Sequence, residues 1–402
     1  MQQFDVAVIG AGAAGMMCAA VAAQRGRTVV LIDHAAKLAE KIRISGGGRC
    51  NFTNRRVGPE NFISANPHFA RSALAGYTPE DFLALIKRYG IAWHEKHRGQ
   101  LFCDESAEDI IKMLRAECDQ GGVQWRMPCN VDEITQVDSA ETRGFKLSLS
   151  EGERRSTLTV SSLVIATGGL AIPQLGATDY GLKIARQFGL KIIEPRPALV
   201  PLTFDGHTWA DFVALAGVAI ETGVATGEGR GKQTFLEDVL FTHRGLSGPG
   251  ILQISSYWQP GQPISLDLAP GQNMSQALLE SKSGSKQQVG TLLGSLWPKR
   301  LAERWLGDEA TKRLADLPDR YLVDLGKRIH NWSLIPNGTE GYKKAEVMRG
   351  GVDTRGLDQR SMAAKTVPGL HFIGETVDVT GWLGGYNFQW AWASGFACGN
   401  SL

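Results

Sequence analysis

The 402-residue chain has no C-x-x-C pair; its six cysteines stand apart at 18, 50, 103, 118, 129 and 398. That spacing excludes a sequence-adjacent redox dithiol and a zinc ribbon. Scattered thiols fit a reducing compartment. A charge bias is also missing: 43 Lys and Arg stand against 41 Asp and Glu, a net charge of +2. No bulk field favours nucleic acid, so no nucleic-acid partner is expected. The longest small-apolar run, Ala13 to Ala23, is far short of the roughly 20 residues that span a bilayer. No basic segment leads into an apolar core and cleavage site. Repeats and low-complexity tracts are absent. The expectation is a cytoplasmic protein without membrane attachment. At roughly 150 residues per domain, its length predicts two or three domains.

What is present begins with a strand. Phe4 to Ile9 is a short buried run, followed by a glycine turn, an alanine-rich helix to about Gly26 and a second strand, Thr28 to Ile32. This is one βαβ unit. Its turn reads Gly10-Ala-Gly12-Ala-Ala-Gly15, and Asp33 closes the second strand. A lone G-x-G-x-x-G is weak, but strand, turn, helix and acid in this order form the dinucleotide fingerprint. Gly10 permits the tight turn, Gly12 lets a pyrophosphate approach, and Gly15, beside Ala14, lets helix and strand pack closely. The helix start offers free N–H groups to phosphate. Asp33 can accept from ribose hydroxyls.

Three further segments have the composition of a cofactor site. Lys41-Ile-Arg-Ile-Ser45-Gly46-Gly47-Gly48-Arg49-Cys50-Asn51 combines cations with three glycines, and reads as a loop around a pyrophosphate or a flavin ring. Thr167-Gly168-Gly169 ends the buried strand Val160 to Ala166. Glu375 follows the strand Leu370 to Ile373, and Gly384-Gly385-Tyr386-Asn387 opens a helix to about Ala397. A carboxylate there can accept ribityl hydroxyls, and the helix dipole can face a flavin pyrimidine.

Between these segments the character changes near Pro195. Glu194 to Pro197 reads as a rigid linker. Strand-like pieces follow at Leu199 to Phe204, Val218 to Ala225 and Ile264 to Leu268. Helical periods follow at Val289, Leu292, Leu293 and Leu296, and at Leu322, Leu325 and Ile329. The expected fold is α/β. A discontinuous nucleotide-binding domain, 1–194 with 340–402, is interrupted by an insert over 195–339. The insert is β-rich over 195–272 and helical over about 275–330.

With these motifs in hand, the chain resembles the bacterial BaiN/YhiN-like FAD flavoproteins nearly end to end. The resemblance is carried by Ser45 to Asn51 with Thr53-Asn54, by Leu240-Phe-Thr-His-Arg-Gly-Leu-Ser-Gly-Pro249, and by Gly374-Glu375 with Asp378, Gly381 and Gly384 to Asn387. It implies a glutathione-reductase-type FAD domain with a β-barrel and helical insert. It also implies that Val131 meets the adenine through its backbone, and that Thr167 to Gly169 and Glu375 line FAD. Departures lie at Ile172-Pro173, at Gly176 to Gly181 and at Met348-Arg349, so substrate identity is not carried over.

A second G-x-G-x-x-G on a βαβ unit is missing; Gly227-Glu-Gly-Arg-Gly231 opens no clear helix. Any NAD(P)H would therefore visit the flavin directly. The expected function is an FAD-dependent oxidoreductase acting on a small organic substrate, with NAD(P)H as donor. Alternatives are a flavin-dependent amine oxidase and an RNA-associated or non-catalytic FAD-binding protein. Cys50 and His243 are candidates for reactive groups, with structural roles as the plainer reading. His94 and His97 lack a third metal ligand. Trp390 and Trp392 read as core. Catalytic residues and oligomeric state stay open.

Overall fold

The computed structural model describes residues 2–138, 143–282 and 286–402. Residues 283–285, within the span read as helical, lie outside them. The chain divides into two compact units, Met1–Arg196 with Val347–Leu402, and Pro197–Glu346.

Unit 1 is built on parallel strands. β1 (Gln2–Ile9), α1 (Ala13–Gln24) and β2 (Val29–Ile32) form the βαβ unit. β1 pairs in parallel with β2 on one side and with Arg154–Ile165 on the other. Leu370–Phe372 adds to the far edge of Arg154–Ile165, and Gln124–Arg126 to that of β2. The inner strands are near-continuous apolar runs because helices and loops cover both faces. Val29, Val30, Leu31 and Ile32 are each at most 2% exposed. An antiparallel pair, Asn130–Asp138 with Arg143–Glu151, extends the sheet along the early part of Arg154–Ile165.

The last helix, Tyr386–Ser401, lies directly on α1. A Cβ on Gly395 would sit 2.6 Å from the Ala14 carbonyl, and one on Gly399 would sit 2.6 Å from that of Cys18. Only glycine allows this approach. Trp390 and Trp392 are core, 1% and 0% exposed, and donate to the Gly374 and Phe52 carbonyls.

Unit 2 contains a seven-stranded antiparallel sheet. Its two edge strands, Trp332–Leu334 and Gly338–Thr339, are joined by residues 335–337 alone, so the adjoining ends of the two edges lie near each other without pairing. The stacked rings of Phe204, Trp209 and Phe241 fill part of its core.

Three local expectations change. Glu194 to Pro197 is not a linker but part of a strand, Ile192–Ala198, paired with Val347–Val352. Pro195 and Pro197 alternate, so their missing donors fall on one edge, which an edge strand tolerates. The helix from Val289 stops at Leu293, before Gly294, and leaves Leu296 42% exposed. The Lys41 to Asn51 stretch is not all loop: α2 (Glu40–Gly48) begins as a helical turn, then breaks at Ser45, Gly46 and Gly47.

Candidate functional site

Three of the motifs, Gly10 to Gly15, Thr167 to Gly169 and Gly374-Glu375, directly follow the carboxyl ends of adjacent parallel strands in unit 1. Ile9 is level with Ile32 and Ile165, and Ile165 with Phe372. Ligands of open parallel sheets bind at that edge, where strand order reverses.

The first turn has the geometry its glycines require. Gly10 has φ +109°, and a Cβ there would lie 2.4 Å from the Ala166 carbonyl oxygen. A Cβ on Gly15 would lie 1.8 Å from the Gly10 oxygen, whereas one on Gly12 would meet nothing within 4 Å. Gly12 caps a 12-residue helix whose first turn has no capping side chain and no acid. Its first N–H groups therefore have no capping side chain at Gly12. Asp33 braces the turn: Oδ2 accepts from the Ala11 N–H at 2.7 Å and Oδ1 from that of Ala35 at 2.8 Å. Ala14 lies against Gly374, where a Cβ would approach its methyl to 2.9 Å. The Val131 carbonyl accepts from the Tyr180 hydroxyl at 3.2 Å.

Glu375 joins three of the expected segments. Its Oε2 accepts from Lys41 Nζ at 2.8 Å and its Oε1 from the Met348 N–H at 2.7 Å. A Cβ on Gly169 would come within 2.9 Å of Oε1. The Gly168 carbonyl accepts from the Thr376 hydroxyl at 3.1 Å, and the Thr167 hydroxyl is buried with no hydrogen-bond partner among the described residues.

The glycine run of the Lys41 to Asn51 segment also meets the Gly384-Gly385 helix start. Gly46, Gly47 and Gly48 have φ of +57°, +68° and +86°, and Cβ atoms on Gly47 and Gly48 would find open space. The Asn51 amide, oriented to satisfy its neighbours, accepts from the Gly385 N–H at 3.2 Å. Asn54 Nδ2 donates to the Gly384 carbonyl at 3.0 Å. A Cβ on Gly385 would strike the Thr53 carbonyl at 2.3 Å, so the helix start rests on the strand Asn51–Asn54. Ser45 closes its own turn by donating to the Ile42 carbonyl. Arg49 follows as the last residue of the glycine run, with its carbonyl accepting from the Cys103 N–H. Tyr386 and Asn387 serve the scaffold: Tyr386 packs edge-on against Phe62 and Trp382, and the Asn387 amide is spent on the Gly381 and Trp382 backbone.

Sequence reasoning missed Gln100 and Gln389. Gln100 packs against Gly384, within 3.0 Å of where its Cβ would be. Gln389, fully buried, accepts from the Thr53 hydroxyl at 2.6 Å and donates to the Tyr77 carbonyl. Neither carries a local signal, since both act across distant elements.

Cys50 is fully buried at φ +48°, and burial pushes its thiol well above the usual range. It is a packed thiol, not a thiolate. His243 is exposed in a turn of unit 2 that is braced by Thr242 and Gly245. His94 pairs with Asp104 at 2.6 Å, and no metal-binding cluster occurs among the described residues. Gly229–Gly231 is one turn between two antiparallel strands. No helix among the described residues is long and apolar enough to cross a membrane.

The glycines fit FAD. A Cβ at Gly12, Gly47 or Gly48 would meet no atom within 4 Å, so the backbone there is open to close approach, as a phosphate-bearing cofactor requires. Fold and site thus define a Rossmann-type enzyme of the FAD-dependent oxidoreductase class. The chain belongs to the HI0933-like protein Rossmann domain family, which it matches over residues 4–401.

Among curated relatives, the ribosomal RNA dihydrouridine synthase of Escherichia coli (strain K12) is 49% identical over 411 residues, covering 100% of this chain and 98% of its own. That of Haemophilus influenzae is 45% identical over 401 residues, covering 98% and 97%. The 3-dehydro-bile acid delta(4,6)-reductase of Clostridium scindens is 28% identical, covering 98% of each. A solved 3-ketosteroid-Δ4-(5α)-dehydrogenase from Rhodococcus jostii shares the fold. Its TM-score is 0.52 at 13% identity, with 99% of this chain and 97% of that one covered.

The names of the first two relatives correct one expectation, that of no nucleic-acid partner. The error has a physical origin. Net charge is a sum over the whole chain and is blind to how the cations are distributed.

Proposed function

We propose that this chain is an FAD-dependent reductase that saturates the 5,6 double bond of uridine in ribosomal RNA, with NAD(P)H as the electron source. The observation that carries the reading is the end-to-end identity of 49% and 45% to two relatives named for that reaction. The bond accepts a hydride equivalent and a proton, and NAD(P)H is oxidised in balance. Bound FAD supplies a two-electron carrier between donor and RNA.

The chain's residues bind and orient. Gly10, Gly12, Ala14, Gly15 and Asp33 take the adenosine and pyrophosphate end, with Val131 at the adenine. Lys41, Ser45 to Arg49, Asn51, Thr167 to Gly169, Glu375 and Gly384 to Asn387 frame the flavin end. The dipole of the Tyr386–Ser401 helix favours negative charge at its start.

A second reading has one observation in its favour, the relative named as a bile-acid reductase. Uracil and a 3-oxo-4-ene share a carbon–carbon double bond conjugated to a carbonyl, so one mechanism serves both. No relative reported above is named for amine oxidation. The deciding experiment incubates the holoenzyme anaerobically with NADH or NADPH and deproteinised ribosomal RNA, then measures nucleosides by mass spectrometry. Dihydrouridine formation is expected. Untouched RNA, together with turnover of a 3-oxo-4-ene acid, would replace this reading with the second.

A further inference from the structure

Unit 1 carries a cationic ledge beside the flavin-end segments. Trp93–Glu95 and Gln100–Cys103 form a hairpin, whose second arm pairs with Asn51–Asn54. The hairpin turn projects Lys96, His97 and Arg98, and Asn51–Asn54 runs out into Arg55 and Arg56; all five are exposed. Segments 55–56 and 95–98 hold four Lys and Arg and one carboxylate, Glu95, which pairs with Arg55 at 3.0 Å, while Arg98 Nε donates to His97 Nε2 at 2.6 Å.

Aromatic rings interleave with these cations. The Arg55 guanidinium lies 5.1 Å over Trp93, and Lys96 Nζ lies 4.2 Å over Phe102. Planar guanidinium and indole faces are the surfaces on which unpaired bases stack.

The ledge is also held in fixed register with the site. Arg98 is kept at φ +58°, a left-handed conformation that a non-glycine residue rarely adopts. Asn54, 1% exposed, provides the tie. Its Nδ2 donates to the carbonyls of Arg98 at 3.1 Å and Gly384 at 3.0 Å, and its Oδ1 accepts from the Arg56 N–H at 3.0 Å. The Arg55 N–H donates to the Gly99 carbonyl at 2.8 Å. One buried amide thereby sets both cationic segments against the glycine pair.

We propose that this ledge is the RNA-docking surface of the enzyme. Arg56, Lys96 and Arg98 grip phosphates that flank the target nucleotide, and the Arg55–Trp93 stack receives an unpaired base. The inference rests on the RNA reading given above.

The test uses holoenzyme and deproteinised bacterial ribosomal RNA, with dissociation constants measured across a KCl series and dihydrouridine yield measured in parallel. In the Arg56→Gln/Lys96→Gln variant the log–log salt slope should fall by about 1.4, the loss of two single-strand phosphate contacts. KM for RNA should rise more than kcat falls, with the flavin spectrum retained. Should the pair lose flavin, Lys96→Gln alone decides, with half that change in slope. An unchanged slope with dihydrouridine still formed by the wild type overturns the ledge and leaves the function intact. RNA binding that depends on the ledge, without dihydrouridine, keeps the surface and overturns the reaction. Failure of the wild type to bind or modify RNA overturns both.

Discussion

Gly12 and Gly15 lie one helical turn apart, and adding one methyl group to each should have opposite consequences. At Gly15 the methyl carbon would sit 1.8 Å from the Gly10 oxygen. Ordinary contact needs about twice that distance, so α1 must lift off β1. Overpacking of this kind costs about 1–3 kcal/mol, and here the obstacle is backbone, which yields least. At Gly12 the methyl meets no atom within 4 Å. The fold loses under about 1 kcal/mol for a poorer helix cap, but on the proposed assignment the methyl occupies the path of the pyrophosphate. Displacing phosphate from one N–H removes a hydrogen bond to a charged group, about 1.5–3 kcal/mol. That is roughly a 10- to 150-fold weaker FAD affinity. Thermal unfolding of FAD-stripped protein and FAD titration by flavin fluorescence separate the two effects. Gly15→Ala should lower the unfolding temperature without added cofactor. Gly12→Ala should melt near wild type yet bind FAD poorly. A Gly12→Ala protein with wild-type FAD affinity would refute the assignment of this turn to the pyrophosphate.

Three other outcomes are expected. All six cysteines are buried and free, so a chromogenic disulfide should label almost none in native protein and all six in guanidinium; rapid native labelling of Cys50 would contradict its packing. The Arg355 hydrogen bond holds the Asp353 carboxyl below its usual 3.8. Its stabilisation is complete above that value and is lost as pH falls through the lower folded value. Asp353→Asn should therefore destabilise at pH 7 and converge with wild type in strong acid, as followed by circular dichroism. Asn54→Ala strands the Gly384 and Arg98 carbonyls, at a cost of about 1–3 kcal/mol. It should also weaken FAD binding, and an equally stable variant with unchanged FAD affinity would show that the tie is dispensable.

The strand-end glycines were legible because their demands are local. A buried parallel strand is a run of apolar residues, and a positive φ beside a close backbone contact admits little but glycine. Gly10 and Gly385 therefore announce themselves, and Gly15 does so through its backbone contact alone. Other features depend on partners distant in sequence. Gln100 reaches Gly384 only because a hairpin at Trp93–Cys103 pairs with Asn51–Asn54, and no periodicity encodes that pairing. The helical turn at Glu40–Ile44 was hidden by the glycines after it. Pro195 and Pro197 argued against a strand until the partner edge was known. The expectation of no nucleic-acid partner, which the names of two relatives correct, failed for a comparable reason, since charge totals carry no positions.

The strands Ile192–Ala198 and Val347–Val352, through which the chain leaves unit 1 and returns, lie side by side. To unit 1, the whole of Pro197–Glu346 is topologically one loop. Loop-closure entropy grows only logarithmically, about 0.6 kcal/mol per doubling of length. A module of this size can thus be lengthened, shortened or exchanged at little cost to the flavin scaffold. Related chains can then diverge in what they act on while keeping the same glycine turns, and a short turn grafted across these two strands offers a route to a minimal flavin-binding protein.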